Sequence, residues 1–277
     1  MMGGDLPLLT YSLFVTLAHC LPPLVYGARG ETNSDGAQPD RTNRFQPDYT
    51  PSNHLPCRLA GAGGMMRPLP ETGRRGLCLV VAAPSGAGKS SITRALLAED
   101  PGLRLSVSVT TRAPRAGEQE GVHYYFRTQE EFDAMAAEGQ LLEYARVFGR
   151  SYGTPRGPVQ KALSEGSDVL FDVDWQGYHQ LRSALPGDVV GIFVLPPSLD
   201  DLASRLEGRG DAPDIIAQRM AAARDEIAHV GEFPYVVVNT HLPEAIDQVR
   251  TILHAARTET KRQGWLRHWL GGLGLSE

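Results

Sequence analysis

The sequence predicts an α/β fold, a parallel sheet covered by helices on both faces, with a small subdomain inserted near its middle. Three observations carry that expectation. Residues 77–83 are a wholly apolar run that passes through a glycine-rich turn into a helical stretch over 89–98, the succession of strand, loop and helix. Mainly apolar runs at 169–173, 189–195 and 235–239 then alternate with amphipathic stretches at 176–184, 199–207, 213–229 and 243–261. Strands buried on both faces read as continuous apolar runs, and helices between them supply the crossovers that parallel pairing needs. From 110 to about 163 the rhythm breaks, with period-two alternation at 123–126 and 141–147 that marks half-buried strands in a separate unit.

Upstream of residue 76 the composition is different. Nine of the 20 prolines fall within residues 1–75, and 29–75 show neither helical nor strand periodicity, so that stretch is read as disordered. Residues 6–28 contain no Lys, Arg, Asp or Glu and are long enough to cross a bilayer. Pro7, His19, Pro22 and Pro23 interrupt them, however, and the leading MMGGD carries an acid where an export signal carries basic residues. Met65 and Met66, shortly before the first strand, offer another start, with residues 1–64 then an artefact of start-site choice. At the other end, residues 263–277 form an aromatic tail that reads as a helix docking on the domain or fraying from it, rather than one lying on a membrane.

A chain of 277 residues can bury its own core without staples. Cys20, Cys57 and Cys78 form no CxxC pair, which excludes a disulfide framework and a zinc ribbon and fits a reducing, cytoplasmic setting. Lys plus Arg is 27 against 32 for Asp plus Glu, and this balance argues against a nucleic-acid partner.

Ala83, Pro84, Ser85, Gly86, Ala87, Gly88, Lys89 and Ser90 match the phosphate-loop pattern GxxxxGK(S/T), with alanine in place of the first glycine. Gly86 and Gly88 let backbone N–H groups turn inward around phosphate oxygens, and the helix that starts at Lys89 and continues through Ser91 presents its positive end to the same anion. Lys89 then reaches the β- and γ-phosphates, and the Ser90 hydroxyl is a ligand for Mg²⁺. Asp172 closes the apolar run 169–171, where an acid holds magnesium through water, and Asp174 follows two residues later on the same strand face.

Arg112 and Arg115 lie three apart on a chain bent by Pro114, and Arg205, Arg209 and Arg219 form a second group. The planar fork of arginine suits bidentate phosphate binding, so five arginines beside a phosphate loop point to two anions brought together.

With these residues in view, the sequence resembles the guanylate kinases. The resemblance covers about 76–262 and rests on APSGAGKSS, SVTTRAPRAGE, GVHYYF, LLEYARVFGRSYGTP, FDVDWQG, LPPS and RLEGRG, in the family's order and spacing. It implies the P-loop nucleoside monophosphate kinase fold, with a GMP-binding insertion at about 110–163 and a lid at about 204–220. The activity it implies is phosphorylation of GMP and dGMP by ATP with Mg²⁺. By the same resemblance Ser108, Glu143 and Thr154 contact guanine, with Asp174 near its amino group. Arg112, Arg115, Tyr124 and Tyr152 clamp the GMP phosphate, the segment from Arg205 through Arg219 closes on ATP, and Asn239 lies near adenine. Two positions depart from the family pattern: Thr154 replaces a common serine, and Thr240–His241 replaces an acidic pair. The rival readings are a kinase of the same fold for another small phosphorylated or sugar acceptor, and a non-catalytic interaction module. The phosphate loop opposes the second and Glu143 with the Arg112–Arg115 pair opposes the first.

Overall fold

The computed structural model describes residues 73–147 and 149–275. The expectations for residues 1–72 lie outside them, whether disorder, the apolar stretch 6–28 or the start near Met65. Arg74 and Arg75, expected in the aperiodic stretch, are tied into the domain: Arg74 makes a two-pronged salt bridge to the buried Asp168 at 2.7 and 2.8 Å, and Arg75 pairs with Asp188 at 2.6 Å. Composition missed them because arginine is silent about a buried partner far along the chain.

Among the described residues there are two sheets. The first has five strands, β1 (Cys78–Ala82), β2 (Leu103–Leu105), β7 (Asp168–Phe171), β8 (Val189–Leu195) and β9 (Tyr235–Val238), in the order β2-β7-β1-β8-β9 and all parallel. Along β1, successive side chains point to opposite faces. Leu79 and Val81 join Ile92 and Leu96 of α1 (Lys89–Glu99) and Val249 and Leu253 of α7 (Leu242–Arg257). Cys78, Val80 and Ala82 join Val159 and Leu163 of α3 (Arg156–Ser164) and Tyr178 and Leu181 of α4 (Trp175–Ala184). Both faces are therefore covered, as the continuous apolar runs require.

The second sheet holds β3 (Ser108–Thr110), β4 (Tyr124–Phe126), β5 (Leu141–Val147) and β6 (Arg150–Pro155) in the order β4-β3-β6-β5. Its core is small: Val109, Phe132 and Leu141 are buried, and Phe132 comes from α2 (Gln129–Ala137). Thr128 and Glu131 close a reciprocal capping box at the start of α2, leaving few orphan donors there. Two further helices, α5 (Leu199–Glu207) and α6 (Pro213–Ala228), lie between β8 and β9 in the chain, and α8 (Trp265–Gly272) is the last helix among the described residues.

The expected 243–261 helix stops at Arg257; a 3-10 turn over Thr260–Arg262 then swings Arg262 inward, 1% exposed, to donate to the carbonyls of Ala256, Gly76 and Gly187. The tail does form a helix, and Gln263 just before it bridges to Arg74. None of the helices among the described residues is long and apolar enough to cross a membrane.

Candidate active site

The phosphate loop leaves β1, which is buried at every position, and enters α1 through Gly88. Gly86 and Gly88 have φ of +95° and +102°, the left-handed region that side chains other than glycine's rarely enter. Space makes the same demand at Gly88, where a Cβ would stand 2.2 Å from Nδ2 of Asn239. The Ser85 hydroxyl is buried in the loop without a hydrogen-bond partner. Lys89 Nζ lies 2.5 Å from Asp172 Oδ1, so the sequence-predicted lysine and acid do meet. Asp174 does not share a strand face with Asp172, because β7 ends at Phe171. The chain turns there, and the Asp174 carboxylate caps α4 by accepting from the N–H groups of Gln176 and Gly177, both at 3.0 Å.

The donor set fits a hard divalent cation. Ser90 offers a hydroxyl and Asp172 a carboxylate, both oxygen donors, and Mg²⁺ takes few protein ligands while keeping waters and phosphate oxygens. The orphaned Ser85 hydroxyl and the two left-handed glycines mark a cradle shaped for an oxyanion beside them.

On the second sheet, the register sets Glu143 of β5 opposite Thr154 of β6, next to an irregularity in β5. Thr154 donates to the Glu143 carboxylate at 2.7 Å and both side chains are buried. Burial pushes the Glu143 carboxyl up to about 7; the Thr154 hydrogen bond opposes this, and the charge of Asp174 adds to it. The structure thus brings Glu143 and Thr154 together, with the charge of Asp174 felt at Glu143. Ser108, half-buried on β3, lies two strands from Glu143.

Arg112 stacks its guanidinium 5.3 Å from the Tyr124 ring, which meets Tyr152 edge-on at 6.4 Å. Glu118 holds Arg112 through Nη2 at 2.8 Å and also accepts from the main-chain N–H of Arg115 at 2.7 Å. That carboxylate raises the Arg112 pKa, and Arg112 in turn holds Glu118 below the usual range. The Arg115 side chain itself is exposed.

The remaining arginines do not gather at one point. Arg205, near the end of α5, donates to the main-chain carbonyl of Asn239 at 2.9 Å, beside the phosphate loop. Arg209 is exposed in the following turn. Arg219 of α6 pairs with Asp211 at 2.5 Å within the lid region. Asn239 is 4% exposed, and its side-chain amide donates to the carbonyl of Ala87 at 2.7 Å.

Sequence reasoning missed two supporting residues. Glu118 was visible inside a quoted motif, one turn of loop away from Arg115. Gln180 of α4 was not signalled at all; its amide accepts from the main-chain N–H of Tyr144 at 3.0 Å and donates to the Tyr144 carbonyl at 3.3 Å, bracing β5 next to Glu143.

Known proteins resemble this chain over the same residues. The family model for guanylate kinase matches residues 75–256. The guanylate kinase of Gluconobacter oxydans is 61% identical over 191 residues, covering 69% of this chain and 92% of that protein. That of Cereibacter sphaeroides is 52% identical over 202 residues, covering 72% and 96%. The crystal structure of guanylate kinase from Anaplasma phagocytophilum superposes with a TM-score of 0.58 at 35% identity, covering 74% of this chain and 99% of that one. With the family model spanning both the phosphate loop and the buried Glu143, the chain belongs to the guanylate kinase family.

Proposed function

We propose that this chain transfers the γ-phosphoryl group of ATP to GMP, in the cytoplasm, and that it accepts dGMP as well. The observation that carries the choice of acceptor is the buried Glu143–Thr154 pair. Guanine offers N1–H and an amino group that one carboxylate accepts together, whereas adenine presents a lone pair at N1. A buried polar group left unpaired rejects the wrong ligand by about 10⁴-fold or more. Ser108 and Asp174 are assigned to the same base. All the assigned contacts run to base and phosphate and leave the 2′ position of the sugar unread, which is why dGMP is included.

No general base is required, because the accepting phosphate is already largely ionised at neutral pH, its second pKa being about 6. Charge is what opposes the reaction, since a dianion must approach a triphosphate in line. Arg112, Arg115, Tyr124 and Tyr152 are assigned to the GMP phosphate. Lys89 is assigned to the transferring group; its ammonium has three N–H donors and is ion-paired with Asp172. Arg205, Arg209 and Arg219 approach from the lid, with Gly208 and Gly210 in its turn. Residues 83–91 and Asn239 form the ATP side. Ser90, and Asp172 through water, would hold Mg²⁺. Bound there, the ion would supply positive charge against the charge that develops on the transferring phosphoryl group. Closure of lid and insertion would exclude water and so suppress ATP hydrolysis.

A turnover assay with ATP and GMP, dGMP, AMP or a ribose phosphate tests this reading. Fast turnover of GMP and dGMP with little of the others is expected; comparable turnover of a ribose phosphate, or none of any acceptor, would refute it.

A further inference from the structure

Asn239 follows the last residue of β9, and its three polar groups face three directions. Its main-chain N–H donates to Leu195 at 2.8 Å, extending the β8–β9 ladder. Its main-chain carbonyl accepts from Arg205 at 2.9 Å, and its side-chain amide donates to Ala87 at 2.7 Å in a buried bond. The amide orientation follows from the partner, because the opposite one would set two carbonyl oxygens against each other. We propose that Asn239 is a positioning residue that holds the phosphate loop through Ala87 and so acts on the polyphosphate of the donor. A trans peptide points C=O and N–H in opposite directions. Holding the Ala87 carbonyl against Asn239 therefore aims the Gly88 N–H away from it, the direction in which the donor phosphates lie under the function proposed above. Gly88 has no Cβ to block the approach, since one would stand 2.2 Å from the amide nitrogen. The Arg205 contact places a lid cation beside the same loop, so one residue sets the spacing between two groups that meet the donor.

This inference rests on the nucleotide reading of the loop, and its test separates the two. In Asn239→Ala the side-chain bond goes while the main-chain carbonyl that holds Arg205 stays. Loss of a buried hydrogen bond predicts a rise of about 10- to 100-fold in KM for ATP, with KM for GMP unchanged. Asn239→Asp, which sets a carboxylate against the Ala87 carbonyl, should be worse. The deciding probe is inorganic tripolyphosphate with Mg²⁺, titrated by calorimetry. Asn239→Ala should weaken its binding by the same factor as that of ATP. If tripolyphosphate bound the variant as it binds the unaltered protein while ATP binding fell, Asn239 would be a base contact and the proposal would be overturned. Should the variants not fold, the unaltered chain still decides: the Asn239 side-chain amide signals in an NMR spectrum should shift when tripolyphosphate binds, and binding that leaves them in place would overturn it. Failure of the unaltered chain to bind tripolyphosphate at all would instead refute the nucleotide reading, and with it this proposal.

Discussion

The phosphate loop springs from a strand buried along its whole length between β7 and β8, whereas Glu143 sits on β5, an edge strand whose next residue, Tyr144, is half exposed. Under the function proposed above, the loop works through main-chain N–H groups, whose aim is only as good as the backbone carrying them. A central strand between two covered faces supplies that rigidity, and the glycines cost little on a frame so well determined. Glu143 works through a side chain instead, and its difficulty is charge. The cluster against the second sheet holds three buried apolar side chains, Val109, Phe132 and Leu141, a smaller frame than the one around β1. Thr154 donates to the Glu143 carboxylate, and Gln180 of α4, on the first sheet's side of the molecule, holds the main chain of the next residue, Tyr144. The donor half is rigid by construction; the acceptor half is held by braces.

The comparison can be broken most sharply at Lys89. Lys89→Ala removes a charge contact on the transferring group and leaves the core intact, so a loss of about 10²- to 10³-fold in kcat is expected with little change in Tm. Single-turnover kinetics and a thermal scan check it, and wild-type-like kcat would reject the site.

On the acceptor side, Glu143→Gln should lower kcat/KM for GMP by about 10- to 150-fold, the equivalent of one lost hydrogen bond to a charged group. AMP should lose much less, because an amide can donate to adenine N1 where a carboxylate only repels. Arg115→Ala is the control: it should depress GMP and AMP use together. Equal changes in the GMP to AMP ratio in the two variants would remove Glu143 from base recognition.

The donor half was the more legible in the sequence for the reasons that make it rigid. Continuous apolar runs announce a buried parallel strand, and GAGKS needs its glycines whatever surrounds them. The second sheet was harder: β4 and β5 showed their alternation, but β3 has three residues, too short to show any, and β6 contains Gly153 and Pro155, which read as turn. The capping box Thr128–Glu131 was a legible start for α2 that periodicity alone overlooked. The Gln180 brace and the Asn239–Ala87 bond join residues 36 and 152 positions apart, and no local pattern encodes such pairs.

The charge on Glu143 should also be readable in stability. Its carboxyl is raised from the usual 4.5 to about 7, so the folded state holds a proton over a range where the unfolded chain has released it. Stability from this group is complete below 4.5 and is lost as pH rises through about 7. The change corresponds to about 3 kcal/mol. Glu143→Gln does not titrate, so urea melts should show the variant gaining on the parent by that order between pH 4.5 and 8. A gap independent of pH would mean that the carboxylate is not buried as described. Since guanine needs the ionised form, KM for GMP in the parent should rise as pH falls below 7.

Gln180 tests the braces themselves, with the smallest effect. Tyr144 lies on an edge strand, and the Gln180 amide satisfies its outward N–H and C=O as a neighbouring strand would. Both bonds are exposed, each worth about 0.5 to 1.5 kcal/mol, so Gln180→Ala should raise KM for GMP by about 2- to 10-fold and leave KM for ATP alone. Hydrogen exchange at the Tyr144 amide should quicken in the variant. A general loosening of the insertion would also raise KM, so the decisive measurement is a double-mutant cycle with Glu143→Gln. If Gln180 acts by aiming Glu143, its effect on the GMP to AMP ratio should vanish once the carboxylate is gone. Were the ratio to shift equally in both backgrounds, the brace would be acting on the second sheet as a whole, and the link from α4 through Tyr144 to the Glu143 carboxylate would be severed.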